Sequence, residues 1–158
     1  MPTPRALRRA TVTTVGYQAA TVAEFLRTLR QSGVELLVDV RAVASSRRPG
    51  FSKSRLAGNL AESDIGYVHL RELGTPAAGR AAARAGAHAR MRAIFRGHLA
   101  THEAQAGLAE LEELVRAGRR VCLLCFEADP AHCHRTLVAD ALAERLPIEI
   151  LHLHVVEG

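Results

Sequence analysis

The sequence predicts an α/β fold: a three-layer sandwich with a mostly parallel central sheet, of the Rossmann-like kind. Short runs of apolar and β-branched residues alternate along the chain with longer amphipathic stretches that have helical spacing. Some of these apolar runs have no polar face, which is typical of parallel strands covered by helices on both sides. The chain has 158 residues, 48% of them hydrophobic and 23% charged, which is the size and composition of one folded domain.

The first half of the chain begins with a predicted strand at residues 11–16, which is rich in Thr and Val and ends in glycine. Thr21 and Glu24 have the spacing of a capping box, so a helix is expected to begin there and to end at Gly33. The apolar residues 34–40 predict a second strand. A polar loop, a helix and a short strand are then expected at residues 41–51, 52–63 and 67–70.

The second half of the chain is predicted to be mostly helical around one buried strand. Residues 71–86 indicate a loop with helical tendency, and two helices follow at residues 87–99 and 102–117. The apolar run at residues 119–126 predicts the central strand of the sheet. The last long helix and a closing strand are expected at residues 135–146 and 148–156.

We expect a flexible N-terminal tail at residues 1–10 and a single domain at residues 11–158, because no internal repeat or Gly/Ser linker divides the chain. The longest apolar run has six residues, whereas a membrane span needs roughly 18, so no membrane partner is expected. The N-terminus lacks the apolar segment of a secretory signal, which favours the cytoplasm. Three cysteines, an odd number, then predict free thiols rather than a disulfide framework: Cys122, Cys125 and Cys133.

Positive charge is concentrated in the middle of the chain. The whole chain has a net charge of +5, but residues 41–96 carry eleven basic and three acidic side chains, and residues 97–158 carry five and ten. All basic residues except Lys53 are arginines, which suits bidentate phosphate contacts and equally fits a genome rich in G and C. Charges that share one face attract polyanions. The expected partner is therefore a phosphate-bearing small molecule or a nucleic acid.

Polar residues stand where the predicted strands end. A lone Asp or His at a strand end is more often structural, but parallel pairing brings four such ends to one edge of the sheet, where ligands bind in this fold class. That coincidence indicates a site. The candidates for catalysis at this edge are Asp39, His69 and Glu127, and those for substrate binding are Tyr17, Arg41, Ser46, Arg47 and Tyr67.

The densest signal is the segment CFEADPAHCHR at residues 125–135, which leaves a strand, passes an Asp-Pro turn and enters a helix. Such a helix start favours an anion, so His134 and Arg135 are predicted to bind substrate. A thiol at a helix start beside Arg and His is a candidate nucleophile or redox-sensitive group, which makes Cys133 a catalytic candidate. Glu127 suits a general acid or base. The structural alternative is that Cys133 packs the helix start while Glu127 pairs with a nearby arginine.

The spacing argues against two well-defined site types. A phosphatase loop needs arginine at the sixth position after the cysteine, and neither Cys125 nor Cys133 has one there. A zinc site would have suitable atoms in this segment, but the seven residues between the two cysteines match none of the usual paired-ligand patterns. No metal ligand set is therefore predicted, and the sequence identifies no cofactor.

These motifs resemble the domain-of-unknown-function 488 family, and the resemblance runs from Thr13 to His154. Its elements are TVGY at residues 14–17, VDVR at 38–41, Ser-Arg at 46–47 before a Pro and a Phe, GYVHL at 66–70, ELG at 72–74 and CFEADPAHCHR. The resemblance implies an α/β domain and no particular activity.

Three functional hypotheses follow from the sequence. The first is an enzyme that acts on a phosphate-containing substrate, a nucleotide or nucleic acid, in a polar pocket at the strand ends. The second is a non-catalytic nucleic-acid-binding or regulatory module that uses the basic segment at residues 41–96. The third is a thiol redox sensor through Cys133. A homodimer is the expected assembly from general frequencies.

Overall fold

A five-stranded sheet forms the middle layer of the protein in the computed structural model, which describes residues 10–156. Every strand pair in the sheet is parallel, and the strand order is β3-β2-β4-β1-β5. This confirms the α/β, Rossmann-like sandwich. The strands are β1 (Ala10–Gly16), β2 (Leu36–Asp39), β3 (Gly66–His69), β4 (Val121–Cys125) and β5 (Ile148–His152).

Six α-helices within residues 10–156 form the two outer layers. One hydrophobic cluster packs the first two helices against one face of the sheet, and a second cluster packs the other four against the opposite face. No helix within residues 10–156 has the length and apolar character needed to cross a bilayer. The helices are α1 (Val22–Gln31), α2 (Lys53–Ala61), α3 (Ala77–Arg84), α4 (His88–Leu99), α5 (His102–Arg116) and α6 (His134–Ala143).

The capping box that starts α1 is present as predicted. The backbone N–H of Thr21 donates to the Glu24 carboxylate at 2.9 Å, and the backbone N–H of Glu24 donates to the Thr21 hydroxyl at 3.1 Å. Together these bonds satisfy two N–H groups that the first helical turn leaves without a partner. The apolar positions Phe25 and Leu29 then face the sheet and are fully buried.

Several element boundaries differ from the sequence-based expectation. The stretch 71–86, expected to be a loop with helical tendency, contains a 3-10 helix at Arg71–Leu73 and the two-turn helix α3. The closing strand stops at His152, which pairs with Thr14 of β1, rather than at residue 156. The predicted tail at residues 1–10 lies outside the described residues apart from Ala10, which begins β1.

The strand order creates the crevice that positions the site. The chain leaves β1 and β2 for helices on one face, and it leaves β4, which lies between them, for α6 on the other face. Ligands of parallel sheets bind at such a switch point, beyond the carboxyl ends of the strands. The register pairs Gly16 with Cys125 and Asp39 with His69, so these strand ends stand level.

Candidate functional site

A cavity of about 700 Å³ opens at the carboxyl edge of the sheet, beside the ends of β1, β2 and β4. Its size is in the range of small-molecule sites. The structure places seven of the predicted site residues in its lining: Tyr17, Arg41, Ser46, Arg47, Glu127, Cys133 and His134. Four others do not line it: Asp39, Tyr67, His69 and Arg135.

Among residues 10–156, five arginines reach the cavity, from the loop after β2 and from α3. Arg48 and Arg80 are held by the protein, since their side chains donate to the backbone carbonyls of Ala20 and Thr75. The guanidinium groups of Arg47 and Arg84 are exposed and make no hydrogen bond or ion pair within residues 10–156. These two side chains are therefore free to bind an anion that enters the cavity.

The fifth arginine, Arg41, is buried in an ion pair. Its Nε and Nη2 atoms donate to the two carboxylate oxygens of Asp39 at 2.9 and 2.8 Å. Its Nη1 atom donates to the Tyr17 hydroxyl at 3.1 Å and to the Phe51 carbonyl at 2.8 Å. The Tyr17 ring stacks on Phe51 with 4.6 Å between the ring centres. Because four of its donor contacts are made within the protein, Arg41 ties the loop to the sheet at the edge of the cavity.

The remaining candidates on this face complete the same network behind the cavity wall. The Tyr67 hydroxyl donates to an Asp39 carboxylate oxygen at 2.6 Å. Burial raises the pKa of Tyr67, and the hydrogen bond and the charge of Asp39 raise it further. The Nε2 atom of His69 lies 2.7 Å from the Arg41 carbonyl oxygen, so it donates a hydrogen bond there. This placement gives Asp39, Tyr67 and His69 a supporting role in our proposal.

The floor of the cavity is built by the end of β4 and the start of α6. Cys133 is the N-cap residue of α6, and the next residue, His134, directs its ring towards the end of β4. The Nδ1 atom of His134 lies 3.5 Å from the sulfur of Cys125 and 3.9 Å from that of Cys133. The ligand atoms of these three residues all lie within 4.8 Å of one another, which the spacing in the sequence did not predict.

Burial and neighbouring groups shift the pKa values of the thiol and carboxyl groups on this floor. Burial raises the pKa of the Cys133 thiol, but the hydrogen bond from Cys125 and the charge of Arg135 act in the opposite direction, and the net shift places the pKa below its usual range. The pKa of Cys125 is raised by its hydrogen bond to Cys133 and by burial. Burial and the negative charge of Cys133 raise the pKa of Glu127. These shifts favour the thiolate form of Cys133 and the protonated form of Glu127.

Arg135 holds the loop that carries the floor. It is fully buried, and its Nε donates to the Thr14 hydroxyl at 3.1 Å, while its two terminal nitrogens donate to the carbonyls of Glu127 and Ala128. The Thr14 hydroxyl in turn lies 2.6 Å from Nδ1 of His152. Arg135 is therefore a positioning residue for residues 126–133. It was expected to bind substrate, but it does not line the cavity.

Ser46 shapes the loop that carries Arg47. Its hydroxyl oxygen accepts a hydrogen bond from the backbone N–H of Arg48 at 3.1 Å, and its own backbone N–H donates to the Ser52 hydroxyl at 3.0 Å. These bonds form a turn that exposes the Arg47 side chain beside the cavity. Ser46 itself is half-buried in the lining.

Several cavity residues are not predicted from the sequence, because only helix α3 and the geometry of the loop after β2 bring them together. Arg80 and Arg84 are four residues apart and therefore share one face of α3, the face towards the cavity. The available signal was this spacing, within a stretch that was interpreted as a loop. Others with no clear signal in the sequence are Gln18, Arg48, Thr75 and His132.

Comparison with protein families agrees with the motifs found in the sequence. The family model of the domain of unknown function DUF488 matches residues 21–142, which is most of the chain. No curated protein and no solved structure shows significant similarity to it. The match spans α1 through α6, including the buried ion pair, the arginine-bearing helix α3 and the floor of the cavity. The chain therefore belongs to the DUF488 family.

Proposed function

We propose that the protein is an enzyme that acts on a phosphate-bearing substrate, a nucleotide or a nucleic acid, bound in the cavity at the carboxyl edge of the sheet. The observation that carries this proposal is that one cavity combines arginines on its wall with thiol, imidazole and carboxyl groups on its floor. A binding surface without chemistry needs only the first set of groups.

We assign substrate binding to the arginine wall, which is the part of the cavity lining formed by Arg41, Arg47, Arg48, Arg80 and Arg84. Arg47 and Arg84 have no protein partner within the described part of the chain, so their guanidinium groups lose no existing contact when a phosphate binds. Guanidinium and phosphate form paired, charge-assisted hydrogen bonds. Arg41, Arg48 and Arg80 add positive charge that favours an anion in the same space.

Reaction is assigned to the floor. The half-buried carboxyl group of Glu127 lines the cavity and suits proton transfer to or from the substrate. Cys133 and His134 lie next to it and present their polar atoms on the same floor. A substrate whose phosphate is held by Arg47 and Arg84 extends its remaining part towards these groups, because the wall and the floor enclose one volume.

The test removes two cavity arginines and compares the result with the removal of two others. The Arg47→Ala/Arg84→Ala variant should weaken binding of adenosine monophosphate by about tenfold per arginine in titration calorimetry. The control variant Arg55→Ala/Arg96→Ala loses the same charge from exposed helix positions outside the cavity and should bind as the parent does. Equal weakening in both variants, or no binding by the parent at millimolar nucleotide, contradicts the proposal.

Catalysis is tested by product analysis. We expect chromatography to detect conversion within a panel of nucleotides and short oligonucleotides, and the Glu127→Gln variant to slow that conversion while it leaves nucleotide affinity within a few-fold of the parent. Conversion that is unaffected by Glu127→Gln contradicts the role of the carboxyl group. We place this activity in the cytoplasm, where three unpaired thiols persist.

The alternative without catalysis is favoured by one observation: the five cavity arginines of the described part of the chain come from the basic segment at residues 41–96. A nucleic-acid-binding module of this kind binds oligonucleotides with an affinity that falls steeply as salt rises. Salt-dependent binding of oligonucleotides with no conversion of any substrate in the panel would favour this second function.

A further inference from the structure

We propose that Cys125, Cys133 and His134 form a zinc site whose fourth coordination position opens into the cavity. The zinc site is independent of the proposed function, because it depends only on the arrangement of these three side chains. It departs from the expectation drawn from the sequence spacing, which predicted no metal ligands.

The distances between the three ligand atoms suit one tetrahedral ion. Zinc binds cysteine sulfur at about 2.3 Å and histidine nitrogen at about 2.0–2.1 Å, so tetrahedral geometry places a sulfur and a nitrogen ligand about 3.6 Å apart. The Nδ1 atom of His134 lies 3.5 Å from one sulfur and 3.9 Å from the other. All three ligand atoms lie within 4.8 Å of one another. The side chains therefore need little movement to bind the ion.

A backbone contact fixes the histidine in the form that binds metal. The Nε2 atom of His134 lies 2.7 Å from the Val40 carbonyl oxygen, which only accepts hydrogen bonds, so Nε2 carries a proton. Nδ1 of the neutral ring is then left with a lone pair, and it faces the two sulfurs. Metal-binding histidines commonly have such a partner on their other nitrogen, which sets both the tautomer and the ring orientation.

The ligand types and their surroundings select zinc over harder ions. Two sulfurs and an imidazole suit zinc, whereas magnesium and calcium prefer oxygen ligands. Cys125, Cys133 and His134 are 8%, 4% and 5% exposed, and the Phe95 ring lies 5.1 Å from the His134 ring. The Phe95 ring covers one side of the site, and the cavity opens on the other side. A fourth ligand therefore approaches from the cavity.

Rigid elements hold the ligands although the sequence spacing is unusual. Cys125 is the last residue of β4, and Cys133 and His134 begin α6, with the 3-10 helix Pro130–His132 between them. Sites with short spacing place paired cysteines on one tight turn, whereas here a strand end and a helix start converge. A bound ion would add positive charge below the arginine wall, a consequence for catalysis that rests on the proposed function.

The test uses the full-length, reduced and metal-stripped protein without an affinity tag, titrated with Co²⁺ and then with Zn²⁺. We expect one equivalent of Co²⁺ to give sulfur-to-cobalt charge transfer and the intense absorption of tetrahedral cobalt, and one equivalent of Zn²⁺ to abolish both. Because loss of an orienting partner alone weakens metal binding by about 10–100-fold, Cys125→Ala should weaken it by at least about 100-fold. The matched control is Cys122→Ala, which removes a buried thiol from the same strand on the opposite face of the sheet.

Three results overturn the zinc site: no stoichiometric binding by the reduced parent protein, binding that is equally weakened in Cys122→Ala, or sulfur charge transfer in Cys125→Ala as intense as in the parent protein at one equivalent of Co²⁺. If Cys125→Ala fails to fold by circular dichroism, X-ray absorption of the zinc-loaded parent decides. Two sulfur ligands and one imidazole support the site, and an all-oxygen or all-nitrogen shell contradicts it. Zinc binding together with unchanged nucleotide affinity in Arg47→Ala/Arg84→Ala would leave the zinc site standing and remove only the proposed function.

Discussion

The backbone of Gly16 lies directly against the carbonyl group of Glu127. A β-carbon added to Gly16 would stand 1.7 Å from that carbonyl oxygen and 2.4 Å from its carbon, so no larger residue fits while the loop stays in place. The same carbonyl accepts a hydrogen bond from Arg135. The end of β1 and the buried arginine of α6 thus fix the segment that forms the floor of the cavity from two sides.

The first prediction concerns this close approach. Gly16→Ala should push residues 127–128 away from β1 and destabilise the protein by about 1–3 kcal/mol, the range found when an extra carbon is forced into a packed region. Urea unfolding measures the loss. The control Gly97→Ala lies in α4 with no atom within 4 Å of the new carbon, and it should stabilise the protein by about 0.5–1 kcal/mol through helix propensity. Similar effects of the two substitutions would contradict the packing described above.

The second prediction concerns the buried ion pair. Asp39→Asn leaves the Arg41 guanidinium charged and buried without its carboxylate, so the free energy of unfolding should fall by about 3–5 kcal/mol. Denaturant unfolding at neutral pH measures the change. Glu112→Gln removes a carboxylate from exposed ion pairs with Arg116 and Arg145 and should leave stability nearly unchanged. A small effect of Asp39→Asn would show that the pair is not needed to hold the loop.

The third prediction follows from the raised pKa of Tyr67. An unfolded tyrosine loses its proton near its ordinary pKa of 10.0, whereas in the folded state the phenol of Tyr67 keeps it to higher pH. The unfolded state therefore binds fewer protons above pH 10, and the free energy of unfolding should decrease as pH rises through that region. Tyr67→Phe should remove this part of the decrease.

Direct titration checks the same shift. The chain has two tyrosines, so in the Tyr17→Phe variant the absorbance of tyrosinate reports Tyr67 alone. Its midpoint should lie above pH 10, and adding Asp39→Asn should lower it. A midpoint at the ordinary value in the folded protein would contradict the hydrogen bond to Asp39.

The fourth prediction distinguishes the thiols by alkylation of the reduced, metal-free protein. Burial raises the pKa of Cys122 to about 12, and its side chain is enclosed between the sheet and the helices. Cys133 lines the cavity, so a small reagent reaches it without unfolding. Peptide mapping at pH 8 should show Cys133 modified first and Cys122 modified only at the rate of unfolding. Equal rates for the two thiols would mean that the cavity gives no access to Cys133.

The fold was accessible from the sequence because its signals are local. The capping box of α1 and the apolar runs of β2 and β4 act within a few residues, and the alternation of strands with helices restricts the topology. Helix α3 was harder, because alanine and arginine give it little contrast between its buried and exposed faces. Its face is set by packing against α4, which the local pattern does not contain.

The sequence predicts the position of the candidate site better than it predicts which residues line it. Parallel pairing brought the strand ends to one edge, and seven candidates line the cavity there. The sequence does not reveal which polar groups are already occupied within the protein. Asp39 and Arg135 have side chains typical of active sites, yet both are fully buried and hydrogen-bonded to other parts of the chain. Arg47 and Arg84, which have no partner among residues 10–156, come from a loop and a helix that are far apart in the sequence and meet in the folded protein.

The most direct test is a crystal structure of the protein with adenosine monophosphate at saturating concentration. The phosphate group should lie inside the cavity within hydrogen-bond distance of Arg47 or Arg84, and the rest of the nucleotide should extend towards Glu127 and Cys133. Nucleotide bound on another surface, or crystals with an open cavity that stays free of nucleotide, would contradict the proposed function.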